Sequence, residues 1–229
     1  GSSGRISVTG STINTYGRQL WMGGGNADTA LWNGLTVGRG AASTWSKAAY
    51  GLALNNSTVN TAGGNVYGSG WSFYTGSSPD FGVGLALIGS TINSQTGKVD
   101  LVGEASGKYS IGVGVEVFNT SAINTTTGNI TLRGTTNASV GFNPTSAFGV
   151  YLRDKVLLNS DSGAISVYGT NTTNQYTGSG IWMGSTSGGR DADGNQTSGA
   201  GNGYNVAILN NTGTVLIDGR KTGATRTDG

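Results

Sequence analysis

Oxygen-bearing side chains occupy the first, third and fifth positions of Asp191-Ala-Asp193-Gly-Asn195, the spacing at which a loop can wrap a calcium ion. The match then lapses. The sixth position is Gln196, where the tight turn of such a loop needs glycine, and the twelfth is Asn202 rather than a bidentate glutamate. The segment therefore reads first as a polar loop, with calcium held by Asp191, Asp193 and Asn195 as the second reading; no other cofactor is expected. Histidine and cysteine are both absent. That removes Ser-His-Asp and Cys-His nucleophiles, disulfides and thiolate or imidazole zinc sites from this chain.

Carboxylates could still act in pairs as general acid and base, as in enzymes that cut acidic polysaccharides. They would have to cluster, whereas Asp100, Glu116 and Asp218 are each the one acid among Ser, Thr, Ala, Val, Arg and Tyr at equivalent positions of neighbouring repeats. A polysaccharide-processing enzyme is thus the weaker reading, and no catalysis is expected. Gly38-Arg-Gly40 and Gly82-Val-Gly84 have no helix after them to present amides to a phosphate.

Aromatic rings are the better binding candidates. Trp21 and Trp182 lie in matching Leu/Ile-Trp-Met-Gly segments, where alternation points both rings outward. Trp32, Trp45, Trp71, Tyr74, Tyr109 and Tyr176 fall mostly in variable stretches. Such rings either stack on sugars and anchor partners, or fold back to cover the sheet.

These side chains must be positioned by a repeat. Glycine-led strands recur as GRISVTG from Gly4, GLTVG from Gly34, GNVYG from Gly64 and GKVDLVG from Gly97, then GNITLRG from Gly128, GAISVYG from Gly163 and GTVLIDG from Gly213. Their starts fall 30, 30, 33, 31, 35 and 50 residues apart, which indicates one unit stacked on copies of itself. Between them sit a second strand (Gly51-Leu-Ala-Leu, Gly84-Leu-Ala-Leu, Gly114-Val-Glu-Val, Gly149-Val-Tyr-Leu, Gly180-Ile-Trp-Met) and a third ending in Asn60, Asn93, Asn124 or Asn159.

Three short strands per coil predict an all-β, right-handed parallel β-helix of about seven coils with variable loops. An antiparallel sandwich would need hairpin loops of a few residues, not long variable ones. The inward set is Ile6/Val8, Val99/Leu101, Ile130/Leu132 and Ile165/Val167, with Leu52/Leu54, Leu85/Leu87, Val115/Val117, Val150/Leu152 and Ile181/Met183. The recurring asparagines should form a ladder at a corner, where Asn tolerates left-handed backbone. Residues 1–229 form a single β-helical domain on this reading, with 185–203 an inserted loop in the 50-residue coil.

Of all residues 10% are charged, and 13 basic against 11 acidic side chains leave a net charge of +2. No basic stripe invites nucleic acid, and no apolar run is long enough for a transmembrane segment. Gly1-Ser-Ser-Gly4 is not a signal peptide and reads as a cut site within a longer chain or a cloning remnant.

The unit Gly-Val-x-Leu … Ser-x-Ile-Asn-x-x-Thr-Gly-x-Ile-x-Leu-x-Gly, most regular over 84–103 and 114–134, resembles coils of filamentous haemagglutinin-like two-partner-secretion adhesins and, more widely, autotransporter passengers. The resemblance implies an extracellular rod at the bacterial cell surface, used for attachment or aggregation. Its partners would be host or bacterial cell-surface glycans or proteins, or copies of itself. The secretion domain of that family carries Asn-Pro-Asn, whereas the two prolines here lie in Ser78-Pro79-Asp80 and Asn143-Pro144-Thr145, so the chain corresponds at most to a piece of shaft, a segment of a longer repeat protein. The alternative is a self-assembling filament or sheath subunit, because an uncapped solenoid end exposes strand edges.

Overall fold

A computed structural model describes residues 4–23, 29–32, 35–38, 40–42, 48–74, 81–107, 111–137, 146–173, 178–184, 189–190, 196–197 and 206–222. Strands β1 (Ile6–Thr9), β2 (Thr12–Asn14) and β3 (Leu20–Met22) open the chain, followed by β4 (Thr29–Trp32), β5 (Leu35–Gly38) and β6 (Gly40–Ala42). Four regular turns come next: β7 (Ala48–Asn55), β8 (Thr58–Asn60) and β9 (Val66–Tyr74); β10 (Phe81–Ile88), β11 (Thr91–Gln95) and β12 (Val99–Gly107); β13 (Ile111–Phe118), β14 (Ala122–Thr125) and β15 (Ile130–Thr136); and β16 (Ser146–Leu152), β17 (Val156–Ser160) and β18 (Ile165–Asn171). The last turn holds β19 (Ser179–Met183), β20 (Gly189–Arg190), β21 (Gln196–Thr197), β22 (Val206–Asn210) and β23 (Val215–Lys221). The described residues contain no helix.

Three parallel sheets result, one strand from each per turn. Sheet A stacks β1-β7-β10-β13-β16-β19, sheet B stacks β2-β8-β11-β14-β17-β22, and sheet C stacks β3-β9-β12-β15-β18-β23 with β6 also on β9. This is the expected β-solenoid with three strands per coil. The expected count of about seven coils is corrected, since each stack is six strands deep. Two of the seven glycine-led segments leave sheet C and β3 joins it, which gives six. Leu35–Gly38 is not a coil strand: β5 pairs antiparallel with β4, between β3 and β6 in the chain. The segment from Gly4 belongs to sheet A, not beside Val99 and Ile130, because β1 pairs with Leu52–Asn55 of β7. A signal for this was present, since Gly10-Ser-Thr-Ile-Asn14 repeats Gly89-Ser-Thr-Ile-Asn93 residue for residue.

The expected inward residues meet in one core. Leu52, Leu54, Leu85, Leu87, Val99, Leu101, Val115, Val117, Ile130, Leu132, Val150, Leu152, Ile165 and Val167 are all buried there, with Val59, Ile92, Ile123 and Leu158 from sheet B; Ile6, Val8, Ile181 and Met183 pack against it. Parallel register keeps each column aligned, as in Leu85↔Val115↔Val150. Stacked columns remove apolar surface from water at every rung, at about 25 cal/mol per Å².

Polar side chains fix the corners. After five of the six sheet A strands the backbone enters the left-handed region, at Gly10, Asn56, Gly89, Asn119 and Asp154, residue types that tolerate it. The next serine then accepts from the backbone of its equivalent one coil earlier: Ser57 N donates to Ser90 Oγ and Ser90 N to Ser121 Oγ, both at 3.0 Å. At the following corner Ser94 and Thr125 hydroxyls donate to the Gly97 and Gly128 carbonyls at 2.5 and 2.6 Å.

The asparagine ladder exists, but not at a corner. Asn60 donates to Asn14, Asn93 to Asn60 and Asn124 to Asn93, through Nδ2 to Oδ1 at 3.0, 2.9 and 3.0 Å. These residues sit within sheet B strands, alternating with buried Val59, Ile92 and Ile123 on the outer face. None of the four has positive φ, so the ladder depends on strand register and not on left-handed backbone.

Candidate functional site

Sheets A and C cross where their glycines meet. A Cβ on Gly103 would lie 2.0 Å from the Gly114 carbonyl oxygen, and one on Gly134 would lie 1.9 Å from that of Gly149. Backbone touches backbone at these crossings, so no side chain fits. On sheet A the residues around the crossing build a second apolar cluster: Tyr50, Ala53, Phe81, Val83, Ala86, Ile88, Val113, Phe118, Phe148 and Tyr151. It joins the outward row of Ala53, Ala86 and Tyr151, which alternates with Leu52, Leu85, Val115 and Val150, to Tyr50, Val83, Val113 and Phe148, which precede the crossing glycines. Simple alternation puts that row in solvent; the structure buries it.

Glu116 stands in this row and is fully buried. Arg153 Nε donates to its Oε1 at 2.8 Å, and the guanidinium lies 4.0 Å from the Phe118 ring centroid. Burial works against the charge on Arg153; Glu116, helped by Tyr151 and Asp154, more than offsets this and holds its pKa above the usual value. A buried carboxylate paired to arginine is an acceptor held in place, with the chemistry of a structural clamp.

Trp182 closes the row. It is in register with Tyr151, its ring centroid is 5.6 Å from that of Phe148, and 44% of its surface is open. Trp21 was expected at an equivalent place, but β3 belongs to sheet C, where Trp21 is in register with Tyr67. Its ring packs 4.5 Å from the Tyr67 ring, and its Nε1–H donates to Gln19 Oε1 at 3.0 Å. The two tryptophans point outward from different sheets and do not share a site. The similar tetrapeptides misled because the same alternation serves every strand.

Sheet C's outer face continues past Trp21 in register: Tyr67, Asp100, Thr131, Ser166, and beside them Val102, Arg133, Tyr168 and Asp218. Lys98 Nζ is 5.0 Å from the Tyr67 ring centroid. Arg133 bridges coils, paired to Asp100 on one side and 5.8 Å from the Tyr168 ring on the other. Burial raises the Asp100 pKa above the ordinary carboxylate value, although Arg133 and Lys98 pull it down. Arg220 bonds Asp218 and lowers its pKa. Aligning Gly34–Gly38 with Gly64–Gly68 hid the contact between Trp21 and Tyr67, which the GSTIN repeat could have restored.

Asp191, Asp193 and Asn195 lie outside the described residues, as do Trp45, Tyr109 and Tyr176. The flanking pairs Gly189–Arg190 and Gln196–Thr197 form an antiparallel ladder within the 185–203 insertion. Among the described residues no three His, Cys, Asp or Glu side chains group as metal ligands would, and no helix is long and apolar enough to cross a membrane. Set against models of known protein families, against characterised proteins and against solved structures, the chain matches none.

Proposed function

We propose that this chain is a non-catalytic segment of an extracellular bacterial surface protein, an adhesin-type β-helical shaft that attaches through exposed aromatic rings. The observation that carries the reading is Trp182. Every in-register neighbour from Ala53 to Tyr151 is buried, yet this ring is nearly half open at the edge of the apolar cluster. An open indole backed by Phe148 is a preorganised surface for a sugar face or an apolar partner side chain. The resemblance of coils 84–103 and 114–134 to filamentous haemagglutinin-like repeats supports the same reading, and the scattered carboxylates disfavour catalysis.

The test is adhesion to cells and to a glycan array. Trp182→Ala should weaken binding by about 1–3 kcal/mol while leaving strand-rich circular dichroism unchanged. Unchanged binding per folded molecule would remove Trp182 from the function. A chain that binds neither cells nor glycans would overturn the adhesin reading in favour of a structural filament.

A further inference from the structure

Resting on that reading, we infer that the outer face of sheet C is a second binding surface, built for a neutral glycan lying along the solenoid axis. The face carries a half-buried aromatic ring at each end of a polar stretch: Trp21 covers the fully buried Tyr67 at one end, and Tyr168 is set under Arg133 at the other. From β3 to β18 is four strand spacings, or roughly 19 Å at about 4.8 Å per spacing. The spacing of one coil, about 4.8 Å, is close to the rise of one pyranose unit in an extended glycan, so successive sugars would meet successive coils.

Charge on this face favours a neutral ligand. Its cations are Lys98, Arg133 and Arg220 and its anions Asp100, Glu104 and Asp218, three of each. Asp100 holds Arg133, and Asp218 holds Arg220. Such a surface offers a polyanion no net attraction. It offers sugar hydroxyls what they need: donors and acceptors whose positions are set by ion pairs and by parallel register. Arg133 is about half exposed and Asp100 mostly covered, so the guanidinium faces a ligand while the carboxylate holds it from beneath. Tyr168, next in register to Arg133, supplies the ring on which a sugar face stacks.

The experiment uses the whole chain on an array carrying cellohexaose, chitohexaose and mannohexaose as neutral probes, with polygalacturonate and dextran sulfate as anionic ones. Wild type should bind at least one neutral probe with little dependence on salt. Tyr168→Ala and Arg133→Met should each lower that affinity at least tenfold, and Tyr168→Phe should restore it. Circular dichroism reports folding of each variant. Binding confined to the anionic probes and lost in high salt would overturn the neutral-glycan assignment, as would no binding to any probe. Loss in Trp182→Ala with none in Tyr168→Ala would overturn sheet C as the site and leave the adhesin reading intact. Cell adhesion measured in parallel keeps the two apart, because it can persist through Trp182 when the sheet C site fails.

Discussion

The outer faces of sheets A and C each carry an arginine–carboxylate pair, and the two pairs do different things. Arg153 and Glu116 sit in an apolar cluster with the carboxylate fully covered. Arg133 and Asp100 lie on an open face with the guanidinium in water. Both faces come from the same strand alternation, and both carboxylates have small or aromatic residues at the equivalent positions of neighbouring coils. What separates them is desolvation. Taking charges out of water is expensive, so a buried pair is unforgiving when one partner is lost, whereas an exposed pair contributes little to stability and remains available to a ligand.

The contrast can be broken most forcefully at adjacent residues. Val115 points into the main core and Glu116 away from it, yet both are buried. Val115→Asp places a carboxylate where no arginine can reach, and should cost about 4–5 kcal/mol or more. Retention of the wild-type melting temperature would refute the inward assignment. Arg153→Ala comes next: stranding Glu116 should cost about 3–5 kcal/mol in denaturant unfolding. The double variant Glu116→Gln/Arg153→Met should recover much of that loss. If the double variant is as unstable as the single, the cost is packing and not charge.

Sheet B supplies an intermediate case. Asn93 both donates to Asn60 and accepts from Asn124, so Asn93→Ala should cost about 1–2 kcal/mol, read as a lower midpoint at unchanged denaturant slope. On sheet C, Arg133→Ala should cost under about 1 kcal/mol; a loss comparable to that of Arg153→Ala would erase the distinction between the faces.

The smallest effect is one of sign. Asp100 has a folded pKa above its unfolded value because burial disfavours its charge. The folded state therefore holds this proton more tightly. Asp100's contribution is most favourable below the unfolded pKa and is lost as pH rises through the folded one. Asp100→Asn should then raise the melting temperature slightly at neutral pH and do nothing in strong acid. A stabilising effect that appears only in acid would contradict the shift.

Much of the architecture could be read before any coordinates. The recurrence of Leu52/Leu54, Leu85/Leu87 and Val115/Val117 identifies the core columns, because a two-residue period admits only two faces. The asparagine series was legible for the same reason, although its place in a strand was not. Register between non-adjacent segments was harder: GRISV reads equally well as a sheet A or a sheet C strand, and only its pairing with Leu52 and Leu54 decides.

The chain's own residues determine a three-strand repeat, an apolar interior and a chemistry without histidine or cysteine, all of which follow from local alternation and composition. Which outward row meets water was decided by tertiary structure. The strands of sheets A and C cross at glycine contacts such as Gly103 on Gly114, with a second apolar cluster on the outer side of sheet A. No local pattern announces that crossing. It buries Glu116 with Arg153, leaves Trp182 at the margin, and keeps Arg133 and Tyr168 on the open side. Burial is a property of what packs against a residue from a distant part of the chain, and periodicity records only which way the residue points.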